Sequence, residues 1–239
     1  MKSNIRLILG DCREEIAKIS DNVDLYVSDP PYNLRYHYSK YDDDLSERDY
    51  RDLLYRVFAG RKSCIIHYPE PTIEILATLN IGKLGEVVSW VYPSNTAKQS
   101  RLITWWNCKP DFRKIGQEYR NPTDKRIAKR IAEGKKAKGY DWWFENQVKN
   151  VSKKDNPHPC PVPVEIMRKI VSATTNPGDT VLDPFCGSGT TGVACKELGR
   201  HFIGIEIDPE YLEIAKQRIN NTSAKKIELL GDSVKAVGK

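Results

Sequence analysis

The apolar positions of this chain recur with two periods, and the two alternate along it. Residues 5–9 and 23–27 are short apolar runs of strand length, each closed by a polar turn. Between them Ile16 and Ile19 stand three apart, which predicts a helix over 12–19. Leu53, Leu54, Val57 and Phe58 share a face of a predicted helix over 45–58, and 63–67 and 87–92 read as strands. The last third repeats the pattern. A helix is predicted over 164–173, with Ile166, Ile170 and Val171 on one face, then a strand over 180–182. A helix to about residue 198, a strand over 201–207 and a helix over 209–219 opened by Pro209 come next. Strands alternating with helices predict an α/β fold, a mostly parallel sheet with helices on both faces.

Two stretches break the rhythm. Residues 33–44 are polar and aromatic without a period, and predict a mobile loop. From about residue 93 the texture turns basic and aromatic, with one helical signal over 125–133 that Asp124 would cap. A length of 239 residues with 39% apolar content suffices for one core plus such an insertion. The expected division is therefore 1–108, an inserted 109–155, and 156–239, the outer two sharing one α/β domain. No run approaches 18 apolar residues, so no membrane span is expected. The start of the chain is too short and too acidic after Leu9 for a secretory signal. Six scattered cysteines without a CxxC pair imply neither a metal site nor a disulfide framework, and fit reduced thiols in the cytoplasm.

Charge sharpens the picture of the insertion. The net charge is +6, but residues 98–154 carry +10 and the remainder −4. A basic segment on a neutral-to-acidic body suggests a polyanionic partner, with Lys125, Arg126, Lys129 and Arg130 as candidate contacts. A solvated helical face is the plain alternative. At least one of Trp142 and Trp143 is expected to form a small core for the insertion, whereas Trp105 and Trp106 belong to the body.

Candidate chemistry sits in two loops. Residues 181–192 read VLDPFCGSGTTG, a strand entering a Gly-rich loop and then a helix. Gly187, Gly189 and Gly192 fit G-x-G-x-x-G, which lets a ligand approach backbone amides at a helix N-terminus. Glu206, fourteen residues further at the end of the next strand, can accept both ribose hydroxyls of an adenosine. This pattern alone does not separate a nicotinamide cofactor from S-adenosylmethionine. No Walker A lysine follows the glycines, so an ATPase loop is not indicated. The second loop is Asp29-Pro30-Pro31-Tyr32, a rigid turn after a strand. There Asp29 and the Pro30 carbonyl can accept N–H bonds, and Tyr32 offers a ring face for stacking.

These motifs together resemble the amino-methylating DNA methyltransferases that carry D/N/S-P-P-Y/F/W. Phe185, Gly187 and Gly189 match that family's F-x-G-x-G, and the segment from Asn156 through His158 to Pro163 resembles its HPxxKP or HPxxFP element, with Val162 departing from the usual Lys or Phe. With DPPY first and the Gly loop last, the order resembles the β group, a circular permutation of the class I S-adenosylmethionine-dependent fold. The resemblance covers residues 5–108 and 156–219, and 109–155 takes the place of the target-recognition region. It implies that Asp11, Asp29, His158, Pro163, Asp183, Phe185, Cys186, Gly187, Ser188, Gly189, Thr190, Thr191, Glu206 and Ile207 bind S-adenosylmethionine. Asp29, Pro30, Pro31 and Tyr32 would form the catalytic turn. Asp11 is favoured as the acid near the adenine because a helix and the catalytic strand come directly after it. Asp232, in a similar Gly-Asp turn, is the alternative. Cys160 stands after a proline as in cytosine carbon-5 enzymes, but an amine acceptor needs no covalent thiol, so Cys160 is expected to pack beside the cofactor.

The implied activity is methyl transfer to N6 of adenine in double-stranded DNA, with cytosine N4 as runner-up. A homodimer and a companion restriction endonuclease are the other implied partners, and the cytoplasm of a prokaryote or phage host is the implied location. A nicotinamide-dependent oxidoreductase would leave DPPY and the basic segment unexplained, and a catalytically dead DNA-binding module would leave Asp29 and Tyr32 without a use.

Overall fold

Alternation within the strands assigns each side chain to one of two layers. The computed structural model describes residues 3–36, 38, 40–41, 43–67, 71–94, 97–148 and 161–223. Its strands are β1 (Ile5–Leu9), β2 (Leu25–Ser28), β3 (Ser63–His67), β4 (Leu84–Val91), β5 (Ser100–Trp106), β6 (Gly116–Gln117), β7 (Ala137–Lys138), β8 (Trp142–Phe144), β9 (Thr180–Asp183) and β10 (His201–Glu206). Its helices are α1 (Cys12–Glu15), α2 (Glu47–Phe58), α3 (Pro71–Thr78), α4 (Lys125–Ala132), α5 (Val164–Thr174), α6 (Thr190–Glu197) and α7 (Pro209–Asn220). Val181, Phe202, Cys64, Ile66, Ile103 and Trp105 point into a core shared with α5, α6 and α7. Their neighbours Leu182, Ile203, Ile205, Ile65 and Trp106 point into a second core with α1, α2 and α3. That is period 2 read on both faces of one sheet.

Eight strands form that sheet in the order β1-β10-β9-β2-β3-β5-β4-β8. The pairs from β1 to β3 are parallel, and β5 runs against both β3 and β4. The mostly parallel α/β sheet with helices on both faces is therefore present. The fold adds α3, β5 and the short strands β6, β7 and β8 to the elements expected, and the helix expected over 12–19 stops at Glu15 and continues as a 3₁₀ turn over Ile16–Lys18.

The basic segment is more closely joined to the body than its composition suggested. β8 lies within it, yet pairs with β4 as the sheet's edge strand. Trp143 is buried in the main core, its ring 6.1 Å from that of Trp105. Trp142, next along the strand, is 42% exposed. The expectation of a separate small core is thus corrected: alternation turns Trp143 into the existing core and Trp142 outward. What projects is the ribbon of β6 and β7 with α4 between them. It is anchored by Asp111 N–H on the Ala173 carbonyl, 2.6 Å, and by Gly139 N–H on the Phe112 carbonyl, 2.8 Å.

The Gly loop depends on close packing as well as on access. Gly189 adopts φ +78°, and a Cβ there would lie 2.8 Å from Ala215 Cβ and 2.9 Å from Ala215 Cα on α7. Gly189→Ala would therefore impose both a left-handed backbone and a clash with backbone. The expected loss is about 2–4 kcal/mol in urea unfolding, with an unchanged denaturant slope.

Candidate active site

Four neighbouring parallel strands, β1, β10, β9 and β2, end at one edge, and a carboxylate stands at or just beyond each end. These are Asp11, Glu206, Asp183 and Asp29, and all four line one cavity of 260 Å³. Ligand sites of open α/β sheets lie at this edge. Pro30, Pro31, Tyr32, Phe185, Cys186, Gly187, Ser188, Thr190, Thr191 and Ile207 line it too. The two motifs, more than 150 residues apart in the chain, thus share one cavity.

Each acid is held differently. Asp11 caps α1, accepting from the Arg13 N–H at 2.8 Å, and the Arg13 guanidinium Nη2 sits 2.5 Å from Oδ2. Those bonds lower its carboxyl below the ordinary range. Glu206 accepts the Gly187 N–H at 2.8 Å and the Asp208 N–H at 2.9 Å, while burial pushes its carboxyl upward. Each Glu206 oxygen keeps further accepting capacity, so a pair of ribose hydroxyls can be added without breaking these bonds. Asp183 accepts from the Thr191 hydroxyl at 2.5 Å, the Phe185 N–H at 3.1 Å and the Ser28 hydroxyl at 3.3 Å. Desolvation outweighs those bonds and pushes it up to about 7.

Asp29 opens the Pro-Pro turn. Its Oδ1 accepts from the Tyr32 hydroxyl, and its Oδ2 lies 3.2 Å from Arg101 Nη1. Burial raises its carboxyl, and Arg101 and Tyr32 oppose the rise. The Pro-Pro turn is pinned from α2, where the Tyr50 hydroxyl donates to the Pro31 carbonyl at 2.9 Å. The next loop is organised by the buried Asp43, which accepts the N–H groups of Asn33, Leu34 and Tyr36 at 2.9–3.0 Å. A single carboxylate thus ties a stretch whose sequence suggested only mobility. Tyr36, Tyr38, Lys40 and Tyr41 from this loop reach the cavity.

Some expected residues lie elsewhere. Gly189 faces α7 and does not line the cavity, because its missing side chain makes room for Ala215. Pro163 caps α5, and Pro161 and Val162 line the cavity in its place. His158, Cys160 and Asp232 fall outside the described residues. Lys125, Arg126, Lys129 and Arg130 are exposed on α4, which buries no residue, and none of the four touches the cavity. Sequence reading missed Arg101. Nothing local in the sequence marks it.

The raised Asp183 has a consequence for stability. Between 3.8 and about 7 the folded chain holds a proton that the unfolded chain has lost. Stability of the protein without cofactor should therefore fall as pH rises through that window. Asp183→Asn should flatten this dependence in urea titrations across the same range, and Asp29 and Glu206, raised in the same sense, should leave a smaller slope of the same sign.

The donor set suits an adenosine ligand that also carries positive charge. It offers a carboxylate for vicinal hydroxyls, apolar Phe185 and Ile207, and buried acids beside the Gly loop. Comparison with known proteins agrees. A family model for N6/N4 methylases, described as DNA methylase, matches residues 23–217. The type II methyltransferase M.HpaI of Haemophilus parainfluenzae is 28% identical over 233 residues, which span 90% of this chain and 74% of that protein. The crystal structure of the M1.HpyAVI–SAM complex superposes with a TM-score of 0.63 at 25% identity, covering 90% of this chain and 99% of that one. The cytosine-N4-specific PvuII DNA methyltransferase shares the fold, with a TM-score of 0.63 at 18% identity over 93% of this chain and 89% of that one. The nicotinamide alternative falls away, and the cofactor is S-adenosylmethionine. The chain belongs to the N6/N4 DNA methylase family and is an S-adenosylmethionine-dependent DNA methyltransferase.

Proposed function

We propose that the enzyme methylates N6 of adenine in double-stranded DNA, on a base turned out of the helix. The observation that carries this reading is the buried Asp29 carboxylate, first residue of DPPY, set at the cavity edge beside Tyr32. The exocyclic amine is a poor nucleophile because its lone pair is delocalised into the ring. Asp29 Oδ1 and the Pro30 carbonyl accept its two N–H bonds and draw the nitrogen toward a tetrahedral shape. The bound cofactor supplies an electrophilic methyl on a sulfonium. The nitrogen lone pair forms the new N–C bond while the S–C bond breaks and its pair stays on sulfur. The nitrogen then sheds one proton along its bond to Asp29. Tyr32 supplies a face for the base. Glu206 holds the ribose hydroxyls, Asp11 lies near the adenine, and Asp183 faces the positive end of the cofactor. On this reading α4 lies along the DNA backbone, and a homodimer and a companion restriction endonuclease accompany the enzyme.

Methyl transfer from labelled cofactor to duplex DNA, followed by nucleoside analysis, tests the acceptor. N6-methyl-2′-deoxyadenosine is expected, and N4-methyl-2′-deoxycytidine would overturn the adenine assignment. Asp29→Ala should lower single-turnover transfer by about 100-fold or more and leave cofactor affinity within a few fold.

Salt dependence tests the basic helix. Affinity for one duplex should fall by about 0.9 log units per log unit of salt for each phosphate neutralised. Reversing the charge of Lys125, Arg126, Lys129 and Arg130 should flatten that slope and spare cofactor binding. An unchanged slope would assign α4 to a solvated face.

A further inference from the structure

Because β5 runs against its neighbours, its beginning lies at the edge where the parallel strands end. Arg101, second residue of β5, is thereby delivered to the catalytic turn. Its guanidinium is packed over the Trp90 ring, 5.3 Å from the centroid, and its Nη1 is 3.2 Å from Asp29 Oδ2. The side chains of Arg101 and Asp29 are 12% and 17% exposed, so this pair is largely withdrawn from water. Trp90, opposite Arg101 in the β4–β5 register, fixes the plane of the guanidinium.

The two oxygens of Asp29 have different partners. Oδ2 is turned to Arg101, and Oδ1 takes the Tyr32 hydroxyl. That hydroxyl has a second acceptor within reach, the Ile66 carbonyl at 3.2 Å. An arriving amine can therefore take Oδ1 while Tyr32 transfers its bond to Ile66, and no buried group loses its partner. Arg101 has no part in that exchange. We propose that Arg101 is a positioning residue for methyl transfer, holding Asp29 by Oδ2 so that Oδ1 is presented to the target amine.

This role rests on the amine-transfer reading above. The groups that face Asp29 are Tyr32 from its own loop, Arg101 from β5 and Asp183 from β9, and Tyr92, just beyond β4, faces Arg101 in turn. Arg101 is the cation among them. Without it, burial and the neighbouring Asp183 would both favour a protonated Asp29, which cannot accept the second N–H.

The test is the pH profile of single-turnover methylation for wild type, Arg101→Met and Arg101→Lys, with cofactor affinity measured alongside. Arg101→Met should move the acid limb up by about 1–3 pH units, lower the rate about tenfold or more at neutral pH, and recover as pH rises. Arg101→Lys keeps the charge and should return the midpoint most of the way, which also covers an Arg101→Met protein that fails to fold. A rate lowered by one factor at every pH, or an unchanged profile, in the variants would overturn the positioning role while the amine-transfer reading stands. A wild type that transfers no methyl to DNA would overturn that reading, and this role with it.

Discussion

Parallel pairing brings the ends of consecutive strands to one edge, whatever their distance along the chain. In this protein β1, β10, β9 and β2 obey it together, and an acid stands at or just beyond the end of each. The cavity is therefore a property of the sheet before it is a property of any loop. The Gly loop and the Pro-Pro turn refine it: one exposes amides at the start of α6, the other fixes Asp29 and Tyr32 without side-chain freedom. The reversed β5 then adds what a purely parallel sheet would lack, a cation from the opposite direction.

Clustering carboxylates at a dry edge is electrostatically costly, and the chain handles each differently. Arg13 neutralises Asp11, backbone N–H groups solvate Glu206, and Arg101 offsets Asp29. Asp183 has only neutral donors and is the one pushed up to about 7. An anionic edge of this kind favours a cationic ligand over a neutral one of equal shape.

Much of this was legible in the sequence because it is local. The strand, Gly loop and helix over 181–192, and the DPPY turn, each announce themselves within a dozen residues. Asp11 was favoured because a helix and a strand come directly after it, and it lines the cavity. Other features depend on distant partners and have no local sign. Gly189 looked like a ligand contact, but the residue it makes room for is Ala215, on another helix. Trp143 looked like the core of an insertion because nothing nearby reveals that β8 pairs with β4. Arg101 was invisible for the same reason: its meaning comes from the direction of β5, and direction is set by pairing.

The pairing of β1 with β10 bears on how the chain matures. Asn4 N–H meets His201 Nδ1 at 2.9 Å across 197 residues of sequence, and β1 closes the same edge that holds Glu206. During synthesis the turn at Asp29–Tyr32 emerges well before the Gly loop and Glu206, which complete the cavity. Until β10 leaves the ribosome, β1 lacks the neighbour it pairs with, and the cavity beside Asp29 is unfinished. A partly made chain thus lacks a finished cavity and carries an unpaired strand edge until β10 arrives.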